Sequence, residues 1–302
     1  MNTIRLLLLL TSVAIFCNGR NARTIIVTTT GDRYDVHNMV SLSPKGDTLS
    51  ARTYGSSCKA IPNGAVLDSW DSKKHRCGLH IYRKDSLIYE RFFYEFHNSI
   101  QFCEPNNPDY VVVSLINQEV ECFTDTMSFL CYNLKTGEEH WCAVKGDRLY
   151  GPEKCLNVKF AYFEWYPRGA GNKIWSIVLR IIDLQKKTVT DLLMGRNVTD
   201  WDSRELPDFQ LQWKDATHLL YSTRHYPSEP SILRVYSYDC SRKTFKKEKQ
   251  FSVSTTEDTE DAIWLWHDGD WYLRTDGWLY LCKKNNRRKL FQLEEIESML
   301  VE

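Results

Sequence analysis

An all-β chain of about five repeated four-stranded antiparallel sheets set in a ring, a β-propeller, is the fold this sequence predicts, with six sheets also allowed. Three observations predict it. Apolar and polar residues alternate in short runs, Pro/Gly/Asp/Asn turn signals separate the runs, and a similar opening returns roughly every 40 to 60 residues. A meander of this size cannot bury both faces alone, and stacking several around an axis solves the problem.

Residues 1–19 read as a signal peptide. Met1 to Arg5 carries one positive charge, Leu6 to Phe16 is apolar apart from Thr11 and Ser12, and Gly19 offers a small residue for cleavage before Arg20. The run is about a dozen residues, short of the roughly 18 a membrane span needs, and no later segment is apolar enough to span. The expected product is one exported domain over 20–302, periplasmic or extracellular. Membrane association would require Cys17 to serve as a lipid-attachment cysteine.

The first unit opens at Met39-Val-Ser-Leu-Ser-Pro-Lys-Gly-Asp-Thr-Leu-Ser-Ala51 and adds strands over 78–82 and 87–93. The second begins at Ile100 and ends in a hairpin over 129–142. The third, from Phe160, is irregular, because 174–183 lacks a turn signal where two strands should part. The fourth opens at Phe209 and the fifth at Ala262. Outside the units, Thr24-Ile-Ile-Val-Thr-Thr-Thr30 has high strand propensity and could cover the edge of the last blade, closing the ring. The tail from Gln292 spaces Leu293, Ile296, Met299 and Leu300 as a short helix would.

Two stretches resemble known repeats. Leu42-Ser-Pro-Lys-Gly-Asp-Thr-Leu49 resembles the inner-strand signature of TolB-like and WD-type propellers, and Tyr132-Asn-Leu-Lys-Thr-Gly-Glu-Glu-His-Trp141 resembles the outer hairpin of quinoprotein-type blades. The resemblance implies the architecture and leaves function open, because propellers host hydrolases, lectins and scaffolds alike.

Lysine plus arginine and aspartate plus glutamate number 39 each, so no global field favours nucleic acid or an anionic membrane, and polyanion binding is not expected. Nine cysteines remain after Cys17. In the 129–142 hairpin, counting outward from a turn at 135–138 sets Cys131 opposite Cys142, a candidate disulfide. The competing reading is two reduced, buried thiols.

Long connections mark the expected contact face: 55–76, 117–126, 195–208, 223–231 and 252–261, which all emerge on one side of a propeller. They gather aromatics beside acids: Trp70 and Asp71, His97, Trp201 and Asp202, His225 and Tyr226, Glu257 and Asp258. A ring covers apolar C–H surface while a carboxylate accepts hydrogen bonds, which suits a carbohydrate or protein ligand. The plainer reading makes these tryptophans loop anchors and the acids solvated. Cys77 and His80 fall on opposite faces of a strand, which argues against a shared metal. Asn197-Val-Thr199 fits a glycosylation acceptor. No phosphate loop, nucleophile elbow or Cys-x-x-Cys pair occurs, and no cofactor is expected. The sequence therefore favours a monomeric, non-catalytic binding module with a protein or carbohydrate ligand and no nucleic acid. The alternatives are a glycoside-active enzyme using Asp35, Glu104 and Glu164, or a scaffold in a cell-envelope complex.

Overall fold

The computed structural model describes residues 23–30, 37–54, 58–71, 73–84, 86–93, 98–117, 126–145, 157–167, 174–199, 205–225, 231–253, 262–284, 286–293 and 298–302. The expected signal peptide lies outside them. Among the described residues the alternating runs form 23 strands in six antiparallel sheets and no helix.

Blade 1 contains β1 (Ile25–Thr30), β2 (His37–Leu42) and β3 (Thr48–Tyr54). Blade 2 contains β4 (Cys58–Ile61), β5 (Gly64–Asp71), β6 (Arg76–Arg83) and β7 (Ser86–Phe93). Blade 3 follows with β8 (Asn98–Cys103), β9 (Tyr110–Asn117), β10 (Thr126–Asn133) and β11 (Glu139–Lys145). Among the described residues blade 4 has three strands: β12 (Lys159–Pro167), β13 (Trp175–Asp183) and β14 (Thr188–Val198). Blade 5 is β15 (Glu205–Trp213), β16 (His218–His225), β17 (Ser231–Asp239) and β18 (Thr244–Val253). Blade 6 is β19 (Ile263–His267), β20 (Asp270–Thr275), β21 (Trp278–Lys283) and β22 (Asn286–Gln292). The final strand, β23 (Ser298–Val301), returns to the inner edge of blade 1.

The protein is thus a six-bladed β-propeller. The sixth blade was hidden in the first sequence unit, where 55–76 reads as a long connection but holds β4 and β5. Its turn signal is Pro62-Asn63-Gly64: Asn63 adopts a left-handed φ of 57°, and a Cβ on Gly64 would meet the Tyr82 carbonyl oxygen at 1.9 Å. The irregular third unit is the three-stranded blade, with 175–183 one uninterrupted strand. The expected C-terminal helix is corrected to a strand at 298–301, because pairing with β1 satisfies its backbone and buries Val301.

That pairing closes the ring. β1 holds β23 on one side (Ile25↔Val301, Ile26↔Leu300, Val27↔Met299) and β2 on the other, so both ends of the chain share blade 1 rather than the last blade. Ile25, Ile26 and Val27 are buried, each worth up to about 1.5–3 kcal/mol. Arg23 Nη1 donates to Asp270 Oδ2 at 2.8 Å and to the Tyr272 hydroxyl at 3.1 Å, tying the strand to blade 6. On the other side the Asn63 N–H donates to the Glu302 carboxylate, reaching blade 2.

Between blades the core is a series of apolar clusters. They join blades 2 and 3 (Val66, Leu79, Val113, Leu130), 3 and 4 (Phe129, Cys131, Cys142, Phe160), 4 and 5 (Leu179, Leu219), 5 and 6 (Leu220, Val235, Trp264, Leu273), and 6 and 1 (Leu279, Phe291, Ile25, Val27). Among the described residues no such cluster spans blades 1 and 2. The outer strand pairs of blades 1, 2, 4, 5 and 6 each carry a register shift, which twists and blunts the exposed edge.

The 129–142 hairpin differs from its sequence reading by two residues. A four-residue turn, 134–137, is held by the Asn133 side chain, whose Oδ1 accepts from the N–H groups of Lys135 (2.8 Å) and Thr136 (3.2 Å), so Asn133 rather than Leu134 ends the strand. Cys131 therefore faces His140, and Cys142 faces Phe129. The two cysteines are diagonal, both thiols in the blade 3–4 cluster, and the direct opposition behind the candidate disulfide is absent.

Gly46 turns the β2–β3 hairpin at φ +92°, and a Cβ there would lie 2.5 Å from Phe291 Cγ of blade 6. Gly46→Ala is expected to cost about 1–3 kcal/mol in urea unfolding. An unchanged midpoint would show that this hairpin does not press on blade 6.

Candidate functional site at the central channel

The innermost strands β4, β8, β15, β19 and β23, together with β12, line a cavity of about 790 Å³ at the ring's centre. It lies toward the side where first and second strands join, because its lining includes the ends of β4, β8 and β15. β12 enters the ring reversed: it bridges the end of β8 antiparallel at Pro105↔Phe160. Asn106 fixes this junction. Its Oδ1 accepts from the Lys159 N–H (2.9 Å), its own N–H donates to the Lys159 carbonyl (2.6 Å), and its Nδ2 donates to the Ala216 carbonyl (3.1 Å). One side chain thus links blades 3, 4 and 5.

An innermost strand leaves a row of backbone groups open to the channel. Between blades 5 and 6 two glutamines answer them. Gln212 Nε2 donates to the Trp266 carbonyl at 2.6 Å while its Oε1 accepts from the Trp266 N–H at 2.8 Å. Gln210 does the same one step earlier, donating to the Ala262 carbonyl and accepting from the Trp264 N–H at 3.0 Å. The pair acts as a short surrogate strand and keeps the wall rigid.

The rest of the lining mixes charge and apolar surface. Lys59 Nζ and Glu104 Oε1 meet at 2.6 Å across blades 2 and 3, a part-exposed pair worth about 0–1 kcal/mol. Lys214 lies 3.4 Å from Glu248 Oε1. Burial pushes the Tyr162 phenol up, with Arg180 pulling the other way. Ile61, Phe102, Phe163 and Trp213 supply apolar wall. Among the described residues the indole N–H groups of Trp213 and Trp264, both in the lining, meet no acceptor, and an unmet buried donor costs about 1–3 kcal/mol.

At the rim, Asp215 organises the β15–β16 turn. Burial would raise its carboxyl, but the Thr217 N–H, the His218 ring and the His218 N–H outweigh that and hold it at about 2.

Most of the loop residues singled out by sequence, His97, Trp201, Asp202, Tyr226 and Asp258, lie outside the described residues. His225 is the last residue of β16, opposite Glu205. Trp70 and Asp71 are not in a long connection: both belong to β5, since that stretch is blade 2. Trp70 is 53% exposed, and Asp71 accepts from the Lys74 N–H and Arg76 Nε, each at 3.2 Å. Sequence reasoning looked to loops and missed the channel. The available signal was polar Gln210 and Gln212 alternating with Leu211 in an inner strand.

Of the carboxylates considered for catalysis, Glu104 lines the cavity in its pair with Lys59. Glu164 is outside the lining and paired with Arg180 at 2.8 Å, and Asp35 is outside the described residues. Cys77 packs toward blade 3 while His80 occupies the other face of β6. His80 Nε2 lies 2.8 Å from Ser69 Oγ, and Nδ1 lies 3.3 Å from Glu90 Oε1. This line resembles a hydrolytic triad in order, yet it packs within the sheet against Phe92, over Gly78, where a Cβ would strike both Ser69 and His80 at 2.6 Å. It reads as polar blade structure on the face away from blade 3. No group of three metal-ligating side chains occurs among the described residues.

No known family and no curated protein matches the chain. Solved structures do. The uncharacterized protein lmo1340 from Listeria monocytogenes EGD-e is 12% identical, with 91% of this chain and 82% of that one covered at a TM-score of 0.43. The β-propeller domain of the Trilobed protease from Pyrococcus furiosus is 13% identical, with 90% and 80% covered and a TM-score of 0.43. An oligogalacturonate lyase solved with manganese is 10% identical, with 85% and 71% covered and a TM-score of 0.45. No helix among the described residues is long and apolar enough to cross a membrane.

Asp215 contributes stability that is present above its ordinary value of 3.8 and lost as pH falls toward 2. Urea unfolding should find the protein more stable than Asp215→Asn at pH 5, with the gap closing as pH approaches 2. A gap independent of pH would contradict the hydrogen-bond account of this turn.

Proposed function

We propose that this protein is an exported binding module that takes a ligand into the mouth of its central channel. The observation that carries the reading is the cavity of about 790 Å³, within the range of small-ligand sites, walled by strands from all six blades. A rigid wall limits the ordering cost of binding. The lining offers two cations, Lys59 and Lys214, two anions, Glu104 and Asp215, amides and apolar surface, without a dominant charge. That mixture suits a neutral oligosaccharide or peptide segment. Export rests on the signal-peptide pattern of residues 1–19, and the segments bearing Trp201, Asp202, Tyr226 and Asp258 are a second candidate contact region.

Glycan and peptide arrays probed with the mature chain supply the ligand. Gln101→Trp, which places a large ring in the channel, should then weaken binding of the hit at least tenfold without moving the thermal midpoint. Retained affinity in Gln101→Trp together with loss in Trp201→Ala would move the site to the loop face and overturn the channel reading.

A further inference from the structure

Outer strands of blades leave unpaired edges, and lysines commonly blunt them. Here the blunting is uneven. β18 and β22 carry three cations each, while β3, β7, β11 and β14 carry one each. Together with the turns that lead into them, residues 242–249 and 283–289 hold ten of the 39 lysines and arginines and a single acid, Glu248. The two edges touch: Arg287 Nη1 donates to the Ser252 carbonyl at 3.2 Å, and Lys249 Nζ donates to the Lys284 carbonyl. Arg242, Lys246 and Lys283 have carboxylates near them; among the described residues the other seven have none. The acidic connections 254–261 and 294–297 leave from the opposite ends of the same strands, after Val253 and near Leu293.

The turns leading into both edges also carry a lysine at a left-handed position, as do those at Lys84 (φ 43°) and Lys187 (φ 54°) in blades 2 and 4. Asp239 Oδ1 accepts from the N–H groups of Ser241 and Arg242, and the Lys243 N–H donates to the Asp239 carbonyl. Blade 3 builds the same turn on Asn133 with Gly137 at the left-handed position, φ 73°; blade 5 puts Lys243 there at φ 57°. Blade 6 likewise places Lys284 at φ 46° in a two-residue hairpin turn, where Asn or Gly is favoured. A left-handed side chain costs about 1–2 kcal/mol, so turn geometry alone favours glycine at both sites.

We propose that the outer edges of blades 5 and 6 form a docking strip for a linear acidic polysaccharide, whose carboxylate or sulfate groups pair with the cations at 242–249 and 283–289. Zero net charge conceals this strip, because the balancing acids lie elsewhere. The cations run down the strand edges over about 20–25 Å as well as crowning the turns, a shape a flexible chain can follow and a flat bilayer cannot. Single-stranded nucleic acid would want open aromatic faces. The strip itself holds one ring, Phe245, half-exposed and packed on Tyr221 and Tyr238. The neighbouring rings are covered, Tyr280 by Arg287 at 3.7 Å and Trp278 by Lys289 at 3.3 Å, so no row of open faces is present among the described residues.

The test uses heparin, a linear sulfated glycan, against the mature chain and two variants with equal loss of charge. The strip variant is Lys243→Gly, Lys247→Gln, Lys284→Gly and Arg288→Gln, in which both glycines suit the turns. The control is Lys45→Gln, Lys73→Gln, Lys74→Gln and Lys135→Gln. Expected is heparin affinity that falls with salt, drops at least tenfold in the strip variant and is held in the control, with thermal midpoints of both variants at or near that of the parent. Absence of heparin binding, or equal loss in both variants, overturns the proposal. So does binding of single-stranded DNA or anionic vesicles as tight as that of heparin.

Discussion

Six blades can share a ring only if the first and last are held together, and here four residue pairs between β1 and β23 do so. The demand on this ladder is heightened by uneven packing. Five of the six seams are filled by buried apolar clusters, whereas the described residues of the blade 1–2 seam supply none. The face of blade 2 turned from blade 3 buries only Ala65 and Leu67 from β5 and carries Ser69, His80 and Glu90 beside them. Blade 1 is therefore gripped from blade 6 through Phe291 and Arg23, and passes that grip to blade 2 through β23 and the Glu302–Asn63 bond. Without the ladder, blade 1 would expose Ile25 and Val27 and lose its inner edge.

Closure also makes the channel. Six innermost strands brought around one axis leave polar backbone pointing inward, and the protein meets that cost with side-chain amides rather than a further strand. Gln210 and Gln212 bridge a gap where blades 5 and 6 approach without backbone pairing, and Asn106 reinforces the isolated bridge between blades 3 and 4. A wall fixed by such bonds can present Lys59 and Glu104 in one geometry, the condition for selective binding.

The architecture was legible because strand alternation and turn residues are local signals. The segment 24–30 reads as a strand that closes the ring, and it does, although its partners lie in blade 1. Where local signals mislead, the cause is tertiary pairing. Met299 and Leu300 have helical spacing, yet they serve as a strand because β1 offers an unpaired edge. The turn Pro62-Asn63-Gly64 is hard to read as a hairpin from sequence because β4 is only four residues long. The hairpin register slipped by two because the Asn133 side chain, rather than residue count, sets where the turn begins. The channel residues were illegible as a set, since nothing local says that Lys59 and Glu104 will meet. The basic strip was hidden by averaging charge over the whole chain.

Native-state hydrogen exchange at the amides of β1 and β23 tests the closure most directly. If the ladder holds the ring, those amides should exchange only with global unfolding, at the same free energy as the amides of Leu220 and Leu273 in the blade 5–6 core. Exchange of β1 and β23 at a much lower free energy, with blades 3 to 6 still protected, would show that the ring stands without its closing strands and would contradict the account.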